Sequence, residues 1–222
     1  MLGFSKRNIK PELLDSADPA VACINLQELE ILNKHFGGHS TIRKLLRAAA
    51  PRDEFFTLLD VGAASGDSGR LIREMYPRAK VTNFDRSAVN LARAPLPKVI
   101  GDAFRLPFAR NSFDYVFCSL FLHHFSDEQV IELLRQFGAV ARIGVWVCDL
   151  ERHVLPYLFL RLSQPIFQWH WITVHDGQRS FQAALSAREL RHAALAAGLQ
   201  HSKVAVHRPA FRLTMIARKS VV

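Results

Sequence analysis

Leu58-Leu59-Asp60-Val61-Gly62-Ala63-Ala64-Ser65-Gly66-Asp67-Ser68-Gly69 is the stretch whose reading decides the fold. It grows out of a short apolar run, Phe55 to Val61, of the kind that forms a strand buried on both faces. Beyond the small residues, Leu71-Ile72-Arg73-Glu74-Met75-Tyr76 resumes with helical spacing. A strand, a tight glycine turn and a helix, in that order, make the first βα unit of a nucleotide-binding α/β sheet. Glycine suits such a turn because the backbone needs unusual dihedrals and must approach a ligand closely. The amides that open the following helix can receive an anionic group such as a carboxylate.

A glycine turn alone is weak evidence, and its neighbours decide. The next strand, Lys80-Val81-Thr82-Asn83-Phe84-Asp85, ends in an acid 25 residues after Asp60. An acid roughly 20 residues beyond the turn is where a carboxylate holds a ribose diol. Further on come Gly101-Asp102-Ala103, Leu106-Pro107-Phe108 and Ser112-Phe113-Asp114, and then Ser119-Leu120-Phe121-Leu122-His123-His124-Phe125. Taken together, residues 56 to 150 resemble the class I S-adenosylmethionine-dependent methyltransferases, nearest to the type 11 branch with the ubiquinone and menaquinone C-methyltransferases. One departure is Ala64, where that family usually has the second glycine of its D-x-G-x-G-x-G run. Alanine is a small change there.

The resemblance implies an α/β, Rossmann-like, seven-stranded and mostly parallel sheet with an antiparallel last strand and helices on both faces. It also implies roles for particular residues. Asp60, Gly62, Ala63 and Gly66 would hold the methionine end of S-adenosylmethionine, and Asp85 the ribose hydroxyls, with Arg86 flanking the adenine. Asp102 would accept from the adenine amino group and Ala103 would offer a backbone amide. Ser119 and Leu120 would line the methionine channel, and the product would be S-adenosylhomocysteine.

Three other readings compete. Ala64-x-Gly66-x-x-Gly69 can be forced into a nicotinamide-dinucleotide fingerprint, but the turn then falls two residues late and Asp60 has no role. A non-catalytic cofactor-binding module would keep the same residues but lack an acceptor pocket. A nucleic-acid methyltransferase of the DNA amino-methylating type needs an Asn/Asp-Pro-Pro-aromatic tetrad after the fourth strand. Ser119-Leu120-Phe121-Leu122 stands there instead, which excludes that type and leaves an RNA-directed enzyme open.

Composition sets the bounds. At 222 residues, 49% hydrophobic and 22% charged, the chain can bury an ample core. The net charge of +9 is spread among carboxylates with no basic run longer than two. That argues for a solvated surface and no specific nucleic-acid partner, with weak peripheral association with anionic membranes second. Cys23, Cys118 and Cys148 are isolated and odd in number, which fits reduced thiols, a cytoplasmic location and no metal site. The start lacks a signal-peptide core, and Val154 to Val174 is interrupted by Pro156, Arg161, Pro165 and His170, too broken to span a bilayer.

Along the chain, residues 1 to 20 read as a flexible tip and then a lid. Helical spacing follows from Val21, a break at His35 to Ser40, and a helix from Thr41 to Ala50 with Ser40 as its N-cap. Residues 1–50 thus read as a helical cap and 51–222 as the methyltransferase domain, in one structural domain. Within it the spacing predicts strands at 56–61, 80–85, 98–100, 112–119 and 140–149, and helices at 67–76, 87–93 and 127–137. Residues 151–182 read as an aromatic lid insert, carrying Tyr157, Phe159, Phe167, Trp169 and Trp171. Ser186 and Glu189 form a capping box for a helix that Gly198 stops, and two alternating strands close the chain.

The chemistry expected is methyl transfer to an oxygen or carbon of an aromatic or lipid-like small molecule. Histidine suits the deprotonation of a phenol near neutral pH. His124, beside His123 after the fourth strand, and His170 and His175 on the insert are the candidate bases. Phe36 and Arg43 are further candidates to reach the site, and Asp114 reads as organising backbone at a strand entry.

Overall fold

A computed structural model describes residues 4–51 and 54–219. Its helices are α1 (Pro19–His35), α2 (Gly38–Ala49), α3 (Asp67–Met75), α4 (Ala88–Leu91), α5 (Asp127–Val140), α6 (Val154–Phe167), α7 (Trp171–Ala183) and α8 (Ala187–Ala196). Its strands are β1 (Thr57–Val61), β2 (Lys80–Asp85), β3 (Lys98–Ile100), β4 (Phe113–Ser119), β5 (Ala141–Leu150), β6 (His201–His207) and β7 (Arg212–Arg218). They form one sheet in the order β3-β2-β1-β4-β5-β7-β6, in which β7 alone runs against its neighbours. A dinucleotide fold of order 3-2-1-4-5-6 has no strand inserted between the fifth and sixth. The topology therefore separates two readings that the glycine turn left together.

Alternation along the strands feeds two cores, because successive side chains point to opposite faces. Leu59, Val61, Val116, Cys118, Val145 and Val147 meet α5 and α8 on one face. Leu58, Tyr115, Phe117, Trp146 and Cys148 meet α2 and α3 on the other. Ile42, Leu45 and Leu46 of α2 are almost wholly buried there, so this helix of the expected cap closes the sheet's second face.

Local chemistry corrects several boundaries. Gly37, in the left-handed region at φ 92°, is the N-cap of α2 in place of Ser40. Ser40 lies inside the first turn and donates its hydroxyl back to the Gly37 carbonyl at 3.0 Å. A Cβ on Gly37 would come within 2.5 Å of Ala210, so the turn between β6 and β7 seats against this cap. Helix α5 runs to Val140, three residues past its expected end, and β5 begins at once, with Gly138 inside the helix. Its start is fixed by a complete Ser126–Gln129 capping box.

The insert expected at 151–182 is the helix pair α6 and α7. The N-terminal segment is no loose lid where it is described. The Asn8 amide donates to Gln182 O at 3.0 Å, and the Leu13 and Leu14 amides donate to the Asp176 carboxylate at 3.0 and 2.9 Å. Arg7 reaches the Ala183 carbonyl and Asp127. Residues 4–18 are thereby strapped across the carboxyl edge of the sheet; of the tip and lid expected over residues 1 to 20, residues 1–3 lie outside the described residues.

Candidate active site

A cavity of about 1270 Å³ opens at the carboxyl ends of the parallel strands. Its floor is the quoted loop. Gly62 turns out of β1 at φ 72°, and the Gly62 and Ala63 amides both donate to Phe84 O at the end of β2, at 2.8 and 3.1 Å. The Phe121 ring occupies the space beside Gly62, where a Cβ would fall 2.3 Å away, so only glycine fits. Ala64 itself sits at φ 44°, in the region that costs an L-residue energy and that a glycine would occupy without strain. Gly66, at φ 77°, caps α3.

Asp60 carries the strongest sign of an expected ligand. It is 1% exposed, its Oδ2 has no hydrogen-bond partner, and it faces the cavity. Burial first, then the charges of Asp67 and Asp85, push its carboxyl up to about 8 against the pull of Arg73. A buried acceptor left open in this way is completed by a donor or cation, such as the ammonium of a bound amino acid. Asp85 ties two loops together: Oδ2 accepts from the Ala64 amide at 3.0 Å and Oδ1 from the Ser87 amide at 2.9 Å. Asp102 accepts from the Phe104 amide at 3.0 Å and caps the short 3-10 turn Ala103–Arg105. Arg86, Ala103, Ser119 and Leu120 also line the cavity, the last held at φ 51° with its amide on Cys148 O. All ten residues expected to hold the cofactor are thus near one loop system, and all but Gly66 line the cavity; Gly66 shapes the turn from behind, against Pro95.

The histidines separate. His124 lines the cavity. His170 does not: it caps α7, its ring nitrogen accepting from the Ile172 amide at 3.4 Å and its own amide bound to Glu28. His175 does not line it either and pairs with Asp176 at 2.9 Å. Neither side chain lines the cavity, so the position expected for these two is not met. Phe36 reaches the cavity and packs on Phe159 and Phe167 with centroids 5.3 and 5.6 Å apart. Arg43 pairs with Glu74 on the surface instead. Asp114 accepts from Thr57 and Arg142, holding the entry of β1 and β4.

Sequence reasoning missed Glu12 and Asp149. Asp149 Oδ1 lies 2.7 Å from His123 Nδ1, and its Oδ2 accepts from the Phe121 and Leu122 amides at 3.2 and 2.7 Å. Glu12, on the N-terminal strap, puts Oε1 3.7 Å from His123 Nε2 and 3.8 Å from His124 Nδ1, and accepts from the Ser180 hydroxyl. Burial alone would lower the His123 imidazole, but Asp149 and Glu12 overcome it and raise it to about 9. Burial would raise Glu12, yet the same histidines bring it down to about 2. Ligand atoms of Glu12, His123 and His124 fall within 4.8 Å of one another, a donor set that a divalent cation also accepts. An acid at the end of the apolar run Val145 to Cys148 could have flagged Asp149; nothing local distinguishes Glu12.

A seven-stranded sheet with β7 inserted, a glycine turn after β1 and acids ending β1 and β2 define the class I fold that binds S-adenosylmethionine. Residues 59–148 match the profile of a family described as a methyltransferase domain. Over that stretch the chain is similar to methyltransferase domains, and the strand order sets the nicotinamide alternative aside. Among curated relatives, norreticuline-7-O-methyltransferase of Papaver somniferum is 34% identical over 123 residues, 51% of this chain and 33% of that one. Demethylmenaquinone methyltransferase of Roseiflexus sp. (strain RS-1) is 34% identical over 101 residues, 42% of this chain and 41% of that one. The chain spans about a third of the length of most curated relatives it matches. Similar folds include the plantazolicin methyltransferase BamL, solved with a triazolic desmethylPZN analogue and SAH, at TM-score 0.70 and 12% identity over 94% of both chains. Human N-acetylserotonin methyltransferase, solved with SAM, follows at TM-score 0.63 and 16% identity, covering 88% of this chain and 55% of that one.

Proposed function

We propose that the protein transfers a methyl group from S-adenosylmethionine to an oxygen of an aromatic or lipid-like small molecule, with the Glu12–His123–His124 cluster governing the acceptor's proton. The observation that carries this reading is that one cavity holds both the cofactor loop and the cluster. The bound sulfonium supplies an already activated methyl group, so the chain's own residues must align the acceptor, exclude water and manage one proton. Asp60 and the Gly62–Gly66 backbone hold the amino-acid end, and Asp85 and Asp102 the nucleoside end. One side of the remaining wall is apolar, and its Leu155, Phe159, Leu160, Phe181 and Phe211 favour a flat or greasy acceptor.

His124 takes the acceptor's proton as the methyl arrives. It is the partly open member of the cluster, 33% exposed, while His123 is locked between Asp149 and Glu12. Glu12 orients His124 and balances its charge once protonated. Relatives named O-methyltransferases support oxygen as the acceptor atom; the demethylmenaquinone relative keeps carbon as the second choice.

The test is turnover of a panel of phenols and hydroquinones by the protein and by His124→Ala, followed over pH. The variant should lose about 10²–10⁴ in rate, the usual scale for a general base, with S-adenosylhomocysteine affinity unchanged. Full activity in the variant would remove the base. Loss of turnover on adding a chelator would instead make the cluster a cation site.

A further inference from the structure

Helix α6 turns an apolar stripe to solvent. Leu155, Phe159, Leu162 and Ile166 recur at spacings of four, three and four, which places them on one face. Leu162 and Ile166 are 70% and 76% exposed, and Phe167 and Trp171 extend the patch beyond the helix end. The opposite face, Pro156, Leu160 and Ser163, is buried on the protein. Single exposed apolar side chains are ordinary, but a contiguous strip of six is an interaction surface.

The segment itself carries charge of one sign: from residue 152 to residue 175 the chain has no Asp or Glu, and Arg161 is exposed on the flank of the stripe. Leu155 and Phe159 belong to both surfaces, being partly exposed and also lining the cavity. No helix among the described residues is long and apolar enough to cross a membrane, so contact with lipid would be interfacial.

We infer that this face of α6 docks on an anionic lipid bilayer, the Leu162 and Ile166 side chains entering the acyl boundary and Arg161 meeting headgroup phosphate. A second copy of the chain fits less well. A two-fold contact through the stripe would bring together two segments that each carry Arg152 and Arg161 and no carboxylate of their own. Lipid phosphate answers Arg161 directly, and the overall charge of +9 adds to the attraction. The docking stands on the surface alone; the corollary, that a greasy acceptor passes from the bilayer along Leu155 and Phe159, rests on the acceptor proposed above.

Flotation of the full chain with vesicles of phosphatidylcholine, with and without phosphatidylglycerol, tests the docking. It is read beside the emission of Trp171, the exposed tryptophan. The protein should float with the anionic vesicles and its emission should shift to the blue. Leu162→Asp combined with Ile166→Asp should lower partitioning by about 100-fold, since two exposed side chains lose their burial in lipid. Neither side chain lines the cavity, so S-adenosylhomocysteine binding should persist and certify the fold. Equal partitioning of protein and variant, or no partitioning by the protein, would overturn the inference. So would a dimer of the protein in sedimentation that the double variant dissolves. The readout needs no turnover, so its failure leaves the methyl-transfer reading untouched.

Discussion

The proposed cofactor end and the proposed acceptor end of the cavity are built in opposite ways. The cofactor end comes from strand termini of one sheet: Asp60 lies near the end of β1, Gly62 and Ala64 follow the strand, and Asp85 ends β2, one register step beyond the pair Val61–Phe84. Its groups are placed by backbone hydrogen bonds between adjacent strands. The acceptor end gathers Glu12 from the strap, His123 and His124 from the turn after β4, Asp149 from β5 and Ser180 from α7. Only packing brings these together. The first design fixes a common ligand, while the second can change without disturbing the sheet.

The sharpest way to break this comparison is to alter one end and read the other. Glu12→Gln keeps the shape but removes the charge that orients the histidines. It should cost about 10²–10⁴ in turnover, the range for a disabled general base. Calorimetry should find S-adenosylhomocysteine binding unaltered; a matching loss of affinity would mean that the two ends are one unit. The mirror experiment is Asp85→Ala. It should weaken cofactor binding by about 1.5–3 kcal/mol, the range for a hydrogen bond to a charged group, and unchanged affinity would remove the ribose assignment.

Next in size is Asp60. Its folded carboxyl titrates at about 8 and its ordinary value is 3.8, so the folded protein holds a proton that the unfolded chain releases. This group's contribution is complete below pH 3.8 and is lost as pH rises toward 8. Asp60→Asn cannot ionise. In thermal melts of the free protein it should flatten that decline and gain about 1–2 kcal/mol at neutral pH, while cofactor affinity falls. A variant that melts lower than the protein across the whole range would show that the unpaired oxygen is satisfied by something else.

The smallest expected effect probes the loop's one departure from its family. Ala64→Gly relieves a positive φ and should stabilise the protein by up to about 1 kcal/mol in denaturant unfolding, after the entropy of the added glycine. A net loss would show that the methyl group packs well enough to outweigh its strain.

How much could be read beforehand follows the same division. The acids that end β1 and β2, the glycine turn and the Ser186–Glu189 capping box announce themselves within a few residues, because each meets a local backbone need. Local need also explains the errors. Ser40 has the chemistry of an N-cap, but the approach of Ala210 demanded a glycine conformation three residues earlier. Phe137-Gly138-Ala139 looks like a turn, yet Phe137 and Val140 bury fully in the core under α8 and keep the helix going. His170 and His175 were chosen for residue type and neighbourhood; a helix cap holds one, Asp176 holds the other, and neither lines the cavity.

By itself, then, the sequence determined a class I sheet, its glycine turn and the acids beside it, since strand, turn and helix signals are short-range and carry their own geometry. Only the tertiary structure decided which histidine faces the cavity, that Glu12 reaches it across 112 residues of chain, and that α6 bares an apolar stripe. Those are outcomes of packing: no local hydrogen bond or period ties Glu12 to His124, and the two meet because the strap, α7 and the sheet edge bury one another.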